Sequence, residues 1–156
     1  MSTTHGPNAL PSSKDVGTLL SQLLGRTVKV DWSTTAVPLK APCVVGVYVT
    51  DEGATAALSV FDVALACHLG AALSLMPAAV ANESVRKGVL VDTLADNLHE
   101  VANVMASLFN HDGAPHIKLG EVLMAPKALP AFLPAAMGHA VARLDLNLGV
   151  QFRAPP

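Results

Sequence analysis

The stretch that decides the fold runs from Leu90 to Asn110 and reads LVDTLADNLHEVANVMASLFN. At about 100° per residue, Leu90, Leu94, Leu98, Val101, Met105 and Leu108 fall on one side of a helix, spaced by threes and fours, and so face a core. Asp96, Glu100, Asn103 and Ser107 gather on the opposite side, where their side chains neighbour one another in solvent. The pattern predicts a long helix that follows a short polar connection at Asn82 and Glu83, runs to Asn110, and is closed by His111, Asp112 and Gly113. Any amphipathic helix needs a polar face, which accounts for such a row without chemistry. Asn is nonetheless a poor mid-helix residue, and an exposed helix selected for stability alone carries Lys, Glu, Gln or Arg there. The residue choice leans towards use.

Working towards the N-terminus, Asp62 can cap a helix from Val63 to Met76, apolar all round and ended by Pro77. Before it, Val44 to Thr50 and Thr55 to Phe61 are β-branched and apolar runs joined by Asp51, Glu52, Gly53 and Ala54, the chemistry of a β-hairpin. Thr27 to Trp32 alternates as a half-buried strand, and Pro38 and Pro42 break the segment after it. Ser13 can cap a first helix through Val16, Leu19, Leu20, Leu23 and Leu24, with Gly25 as its C-terminal stop. Residues 1–13 hold Ser, Thr, Gly, Asn and two prolines, a composition expected of a loose tail. Towards the C-terminus come a strand from about His116 to Met124, a segment punctuated by Pro126, Pro130 and Pro134, and a strand from Val141 to Phe152. There Leu144, Leu146 and Leu148 alternate with Arg143, Asp145 and Asn147, implying one wet and one buried face. The expectation is one α+β domain over residues 14–156, a largely antiparallel sheet packed against two long helices.

Composition narrows the function. The formal net charge is -2 and no Lys/Arg cluster occurs, so nothing draws the chain to nucleic acid or an anionic membrane surface. The longest apolar run, Val63 to Val80, is interrupted by His68, Gly70, Ser74 and Pro77 and falls short of the roughly 20 residues of a spanning helix. The first residues lack the basic and apolar regions of a secretory signal, so the cytoplasm is the expected compartment. Cys43 and Cys67 are widely spaced, which argues for packed, reduced thiols. His5, His68, His99, His111, His116 and His139 show no HxxxH or HxH spacing, and no metal site is expected. Neither a phosphate-cradling Gly loop nor a GxSxG elbow appears, and Met76, Met105, Met124 and Met137 read as core packing; no cofactor of its own is expected.

The run Asp96-Asn97-Leu98-His99-Glu100-Val101-Ala102-Asn103 resembles the motif of the CheC, CheX and FliY phosphatases of bacterial chemotaxis: Asp or Ser, three residues, Glu, two residues, Asn, then twenty-two residues and Pro. Twenty-two positions, Val104 to Ala125, separate Asn103 from Pro126, so the distal element matches too. The order of elements from about Lys14 to Phe152 is similar to that family's. Two-site CheC-type members carry a second Glu and Asn on another helix; Val63 to Met76 has neither, which points to single-site CheX. The resemblance implies a CheX-like fold and hydrolysis of the aspartyl phosphate of a CheY-like response regulator. By that resemblance Asn103 orients the attacking water and Glu100 pairs with the regulator's active-site Lys, with Mg2+ held by the regulator. Asp96 takes a supporting or docking role, as do His99, four residues before Asn103, and Ser107, while Pro126 fixes a turn. The rival reading is a non-catalytic CheX-like domain that binds a response regulator, or a flagellar-switch type of scaffold. Low charge and an edge-bearing sheet lead us to expect a homodimer.

Overall fold

The computed structural model describes residues 10–32, 43–124 and 146–149. Helix α1 spans Ser13–Leu24. Its cap is Ser12 rather than Ser13: the Ser12 hydroxyl accepts from the Asp15 amide at 3.1 Å, and the Asp15 carboxylate accepts from the Ser12 amide at 3.2 Å. Asp15 decides the position, because the third residue after Ser13 is Val16, which is apolar and buried and cannot complete a reciprocal box. Gly25 ends the helix in the left-handed conformation, as expected. Of the expected tail, residues 1–9 lie outside the described chain; the rest leads into α1, with Pro11 buried.

Strand β1 (Lys29–Trp32) pairs antiparallel with β5 (Leu146–Gly149). The remainder of the expected Val141 to Phe152 strand, and Pro126, lie outside the described residues. The hairpin forms as expected: β2 (Cys43–Thr50) pairs antiparallel with β3 (Thr55–Asp62), and β4 (Ile117–Leu123) lies antiparallel on the other side of β2. The described strands therefore make a three-stranded sheet of order β3-β2-β4 and a separate β1-β5 pair, not one continuous sheet. Alternation along β2 sends Val44 and Tyr48 into the main core with the helices, while Cys43, Val45 and Val47 form a second apolar cluster with Val49, Leu58, Val60 and Leu123. Both faces of this sheet are apolar.

Helix α2 is Val63–Leu73, capped by Asp62, whose carboxylate accepts from the Leu65 amide at 2.7 Å. It stops short of the expected Met76, because Leu75 turns left-handed (φ 56°) and the amides of Leu75 and Met76 fold back to the carbonyls of Ala72 and Ala71. The expected long helix is two: α3 (Ala78–Lys87) and α4 (Asp92–Met105), followed by a 3-10 turn, Ala106–Phe109. Asn82 and Glu83 are exposed positions inside α3, not a connection. Gly88 (φ 70°) ends α3, and the buried Ser84 hydroxyl donates to the Val89 carbonyl and accepts from the Val91 amide, which fixes the break. Leu90 thus lies between helices yet remains buried. Three helices of 10 to 14 residues, α2, α3 and α4, thus stand where two long ones were expected.

Helices α2 and α4 cross closely. A Cβ on Gly70 would stand 2.7 Å from the Leu94 carbonyl oxygen, so only glycine permits this approach. Asn97 fastens the crossing, its amide donating to the Gly70 carbonyl at 2.8 Å and to the Ser74 hydroxyl at 2.7 Å.

Candidate functional site on the fourth helix

Helix α4 begins at Asp92, whose carboxylate in the first turn suits the positive end of the helix dipole. Leu94, Leu98, Val101, Ala102 and Met105 bury one side of it. Those contacts set its rotation, which leaves Asp96, His99, Glu100 and Asn103 exposed on the other side. Glu100 and Asn103 are one turn apart, a separation that puts their Cβ atoms about 5–6 Å from each other. None of these four side chains makes a hydrogen bond or ion pair among the described residues. Several other carboxylates are engaged: Glu83 binds Arg86 and Lys87, and Asp51 meets His116 at 3.0 Å. Bonding to Arg86 holds Glu83 below the usual carboxylate range, and His116 does the same to Asp51.

Of the expected site residues, Asp96, His99, Glu100 and Asn103 therefore share one solvent-facing surface. Ser107 is exposed but belongs to the 3-10 turn, and its hydroxyl donates to the Val104 carbonyl at 2.9 Å. That bond occupies the donor the side chain would offer a partner. Pro126 falls outside the described residues.

Sequence reasoning missed what supports the surface from below. Tyr48, fully buried, donates its hydroxyl to the Ala102 carbonyl at 2.8 Å and accepts from the Ser59 hydroxyl at 3.3 Å. Its ring lies 4.8 Å from that of Phe109, and burial pushes its phenol up to about 12, against the smaller opposing effect of the Ser59 bond. Asn110 ties the end of the 3-10 turn to β4: its amide donates to the carbonyls of Ala106 and Ile117, and its oxygen accepts from the Ile117 amide at 2.8 Å. A polar residue at the end of a helical pattern signals a cap at most, so neither partner could have been named from the sequence.

Other parts of the chain offer less. An open hollow lined by Lys14, Gly17, Thr18, Gln22, Val28 and Val30 shares no residue with the α4 surface. Among the described residues no group of three or more His, Cys, Asp or Glu side chains is placed to hold a metal ion, and no helix is long and apolar enough to cross a membrane. Cys43 and Cys67 are buried free thiols, pushed up by burial away from the reactive thiolate form.

Fold and surface together define an α+β domain that presents an exposed carboxylate and carboxamide, one turn apart and without a partner among the described residues, on a helix anchored to a sheet. Comparison with protein-family models, with curated proteins and with solved structures gave no match.

Proposed function

We propose that the chain hydrolyses the aspartyl phosphate of a CheY-like response regulator, with Glu100 and Asn103 as the residues that enter the regulator's active site. The observation that carries this reading is the pair itself, exposed and without a hydrogen bond or ion pair among the described residues, on a helix whose other side is buried. Its spacing from Asp96 and Pro126, which is similar to the CheX pattern, supports it.

The chemistry asks little of such a helper. An acyl phosphate is already activated, so hydrolysis needs water held in line with phosphorus and the spreading charge balanced. A carboxamide suits the first task, because it donates and accepts at once and stays neutral: Asn103 accepts a hydrogen bond from the water through Oδ1 and so turns the water's oxygen lone pair towards phosphorus. Glu100 suits the second, gripping the regulator's active-site Lys in a charge-assisted bond and fixing the depth of insertion. No covalent intermediate on this chain is required, and the magnesium belongs to the regulator. Asp96 and His99 flank the inserted pair as docking groups. The reaction is cytoplasmic, and the domain works as a homodimer. The small share of charged residues, 14%, and the edge strands β3 and β4 support that assembly.

The deciding experiment loads a panel of purified receiver-domain regulators with phosphoryl groups and times their decay with and without the protein. Faster decay is expected with at least one. Asn103→Ala is expected to cut the acceleration by about 100-fold, since misplacing a reacting water by ~1 Å has that effect, while stability stays within about 0.5 kcal/mol because the residue is exposed. Tight binding of a phosphorylated regulator whose decay is unchanged would replace this reading with the non-catalytic one. Light scattering should give about twice the 16.1 kDa of one chain; a single species of that mass would remove the dimer.

A further inference from the structure

Tyr48 belongs to no motif, yet three features converge on its hydroxyl. The first is its acceptor: Ala102, whose carbonyl it holds at 2.8 Å, is the residue immediately before Asn103. The second lies in the helix. In an α-helix the Ala102 carbonyl would accept from the Ala106 amide, but that amide turns to the carbonyls of Asn103 and Val104 as the chain tightens into the 3-10 turn Ala106–Phe109. The Tyr48 hydroxyl donates to the Ala102 carbonyl that the Ala106 amide has left; a buried carbonyl that loses a partner costs about 1–3 kcal/mol. The third lies in the strand. Register shifts meet at Tyr48 from both sides, between Tyr48 and Val49 against β3 and between Val47 and Tyr48 against β4. In each case the extra residue sits on the neighbouring strand, Ala56 in β3 and Gly120 in β4, so both neighbours bend at the level of Tyr48 while β2 keeps the alternation that turns this side chain inward. Space has been left as well: a Cβ on Gly46 would lie 2.5 Å from the Ser59 hydroxyl oxygen and 3.3 Å from the Tyr48 oxygen, where the two hydroxyls now meet.

The geometry points to Tyr48 as a positioning residue for Asn103, holding the Ala102 carbonyl and so fixing the backbone from which the carboxamide projects at the α-to-3-10 junction; this role rests on the phosphatase reading above. Without the hydroxyl, the cheapest repair returns the Ala106 amide to Ala102 and rewinds the turn that carries Asn103. The displaced carboxamide then holds water off the line to phosphorus, while docking through Glu100, a turn earlier, is retained.

Tyr48→Phe tests this, because it keeps the ring against Phe109 and removes only the hydroxyl. Two readouts are taken on a regulator that the wild-type protein dephosphorylates. The maximal rate of stimulated decay is expected to fall about 10-fold with the half-saturating concentration within twofold of wild type. In NMR spectra of the free protein, the backbone and side-chain amide signals of Asn103 are expected to shift while those of α3 hold. Both results together support the role, and either one missing overturns it. A rise in half-saturation at unchanged maximal rate assigns Tyr48 to docking and equally overturns it. Should Tyr48→Phe not fold, Ser59→Ala, which removes only the donor to Tyr48, carries the same two readouts with an expected fall of about threefold. If wild type accelerates no regulator, the phosphatase reading fails by itself. The Asn103 signals then decide alone whether Tyr48 positions that residue: a shift keeps the structural link, and unmoved signals end it.

Discussion

Leu75 takes a left-handed backbone conformation (φ 56°) with 76% of its side chain exposed, at the position after a helix where glycine is usual. An L-residue with a Cβ carries a penalty of about 1–2 kcal/mol there, and an exposed side chain returns little burial against it. Leu75→Gly is therefore expected to raise stability by about 1 kcal/mol once glycine's greater unfolded-state freedom is deducted, measured as a rise in denaturant midpoint at unchanged slope. An unchanged or lower midpoint would show that the leucine makes contacts outweighing the strain. Asparagines teach a related point. Asn in mid-helix marked the candidate surface, yet Asn97 clamps α4 to α2 and Asn110 splices the 3-10 turn to β4, while Asn103 has no partner among the described residues. Residue type alone could not separate them. What singles out Asn103 is the wheel, which sets it opposite the buried stripe, whereas Asn97 lies beside that stripe, where a neighbouring helix can reach it.

At the scale of elements, the readable parts were those whose signals are local. Alternating β-branched runs around Asp51 to Ala54 made the hairpin, Asp62 capped α2, and the spacing from Leu94 to Met105 gave α4 its buried side. The break between α3 and α4 was not readable, because Leu90 continues the helical spacing of the core residues while lying outside either helix. It is buried by the connection, and a side-chain bond from Ser84 to the chain beyond Gly88 holds that connection in place. Gly88 was the only local hint, and a lone glycine inside a periodic pattern is weak evidence for an end. The end of α2 was misjudged for the same kind of reason: Pro77 is an obvious stop, but the backbone had already turned at Leu75. The support of the site by Tyr48 joins residues 54 positions apart and has no local signature at all.

Taken whole, the molecule suspends its candidate surface from one central strand, and its response to alkali follows. Burial raises the Tyr48 phenol to about 12 from 10, so the folded state favours the neutral form more than the unfolded chain does. The stabilisation is complete below about pH 10 and is lost as pH climbs through 12, a difference of about 3 kcal/mol at 1.36 kcal/mol per pKa unit. The stability gap between wild type and Tyr48→Phe should therefore narrow above pH 10 in denaturant titrations at several pH values; a constant gap would contradict it. Burial of Cys43 and Cys67 acts in the same direction in both proteins. The order β3-β2-β4 also governs how the chain comes together. Strands β2 and β3 are neighbours in sequence and can zip at once, whereas β4 returns only after α2, α3 and α4 have been laid down between them. Until it does, one flank of β2 offers bare amides and carbonyls to any strand that passes, so a nascent copy is most vulnerable to mispairing with its neighbours during that interval. Pulse-labelled amide exchange should find β4 protected later than β3, and simultaneous protection would mean that the helices and sheet assemble in one step.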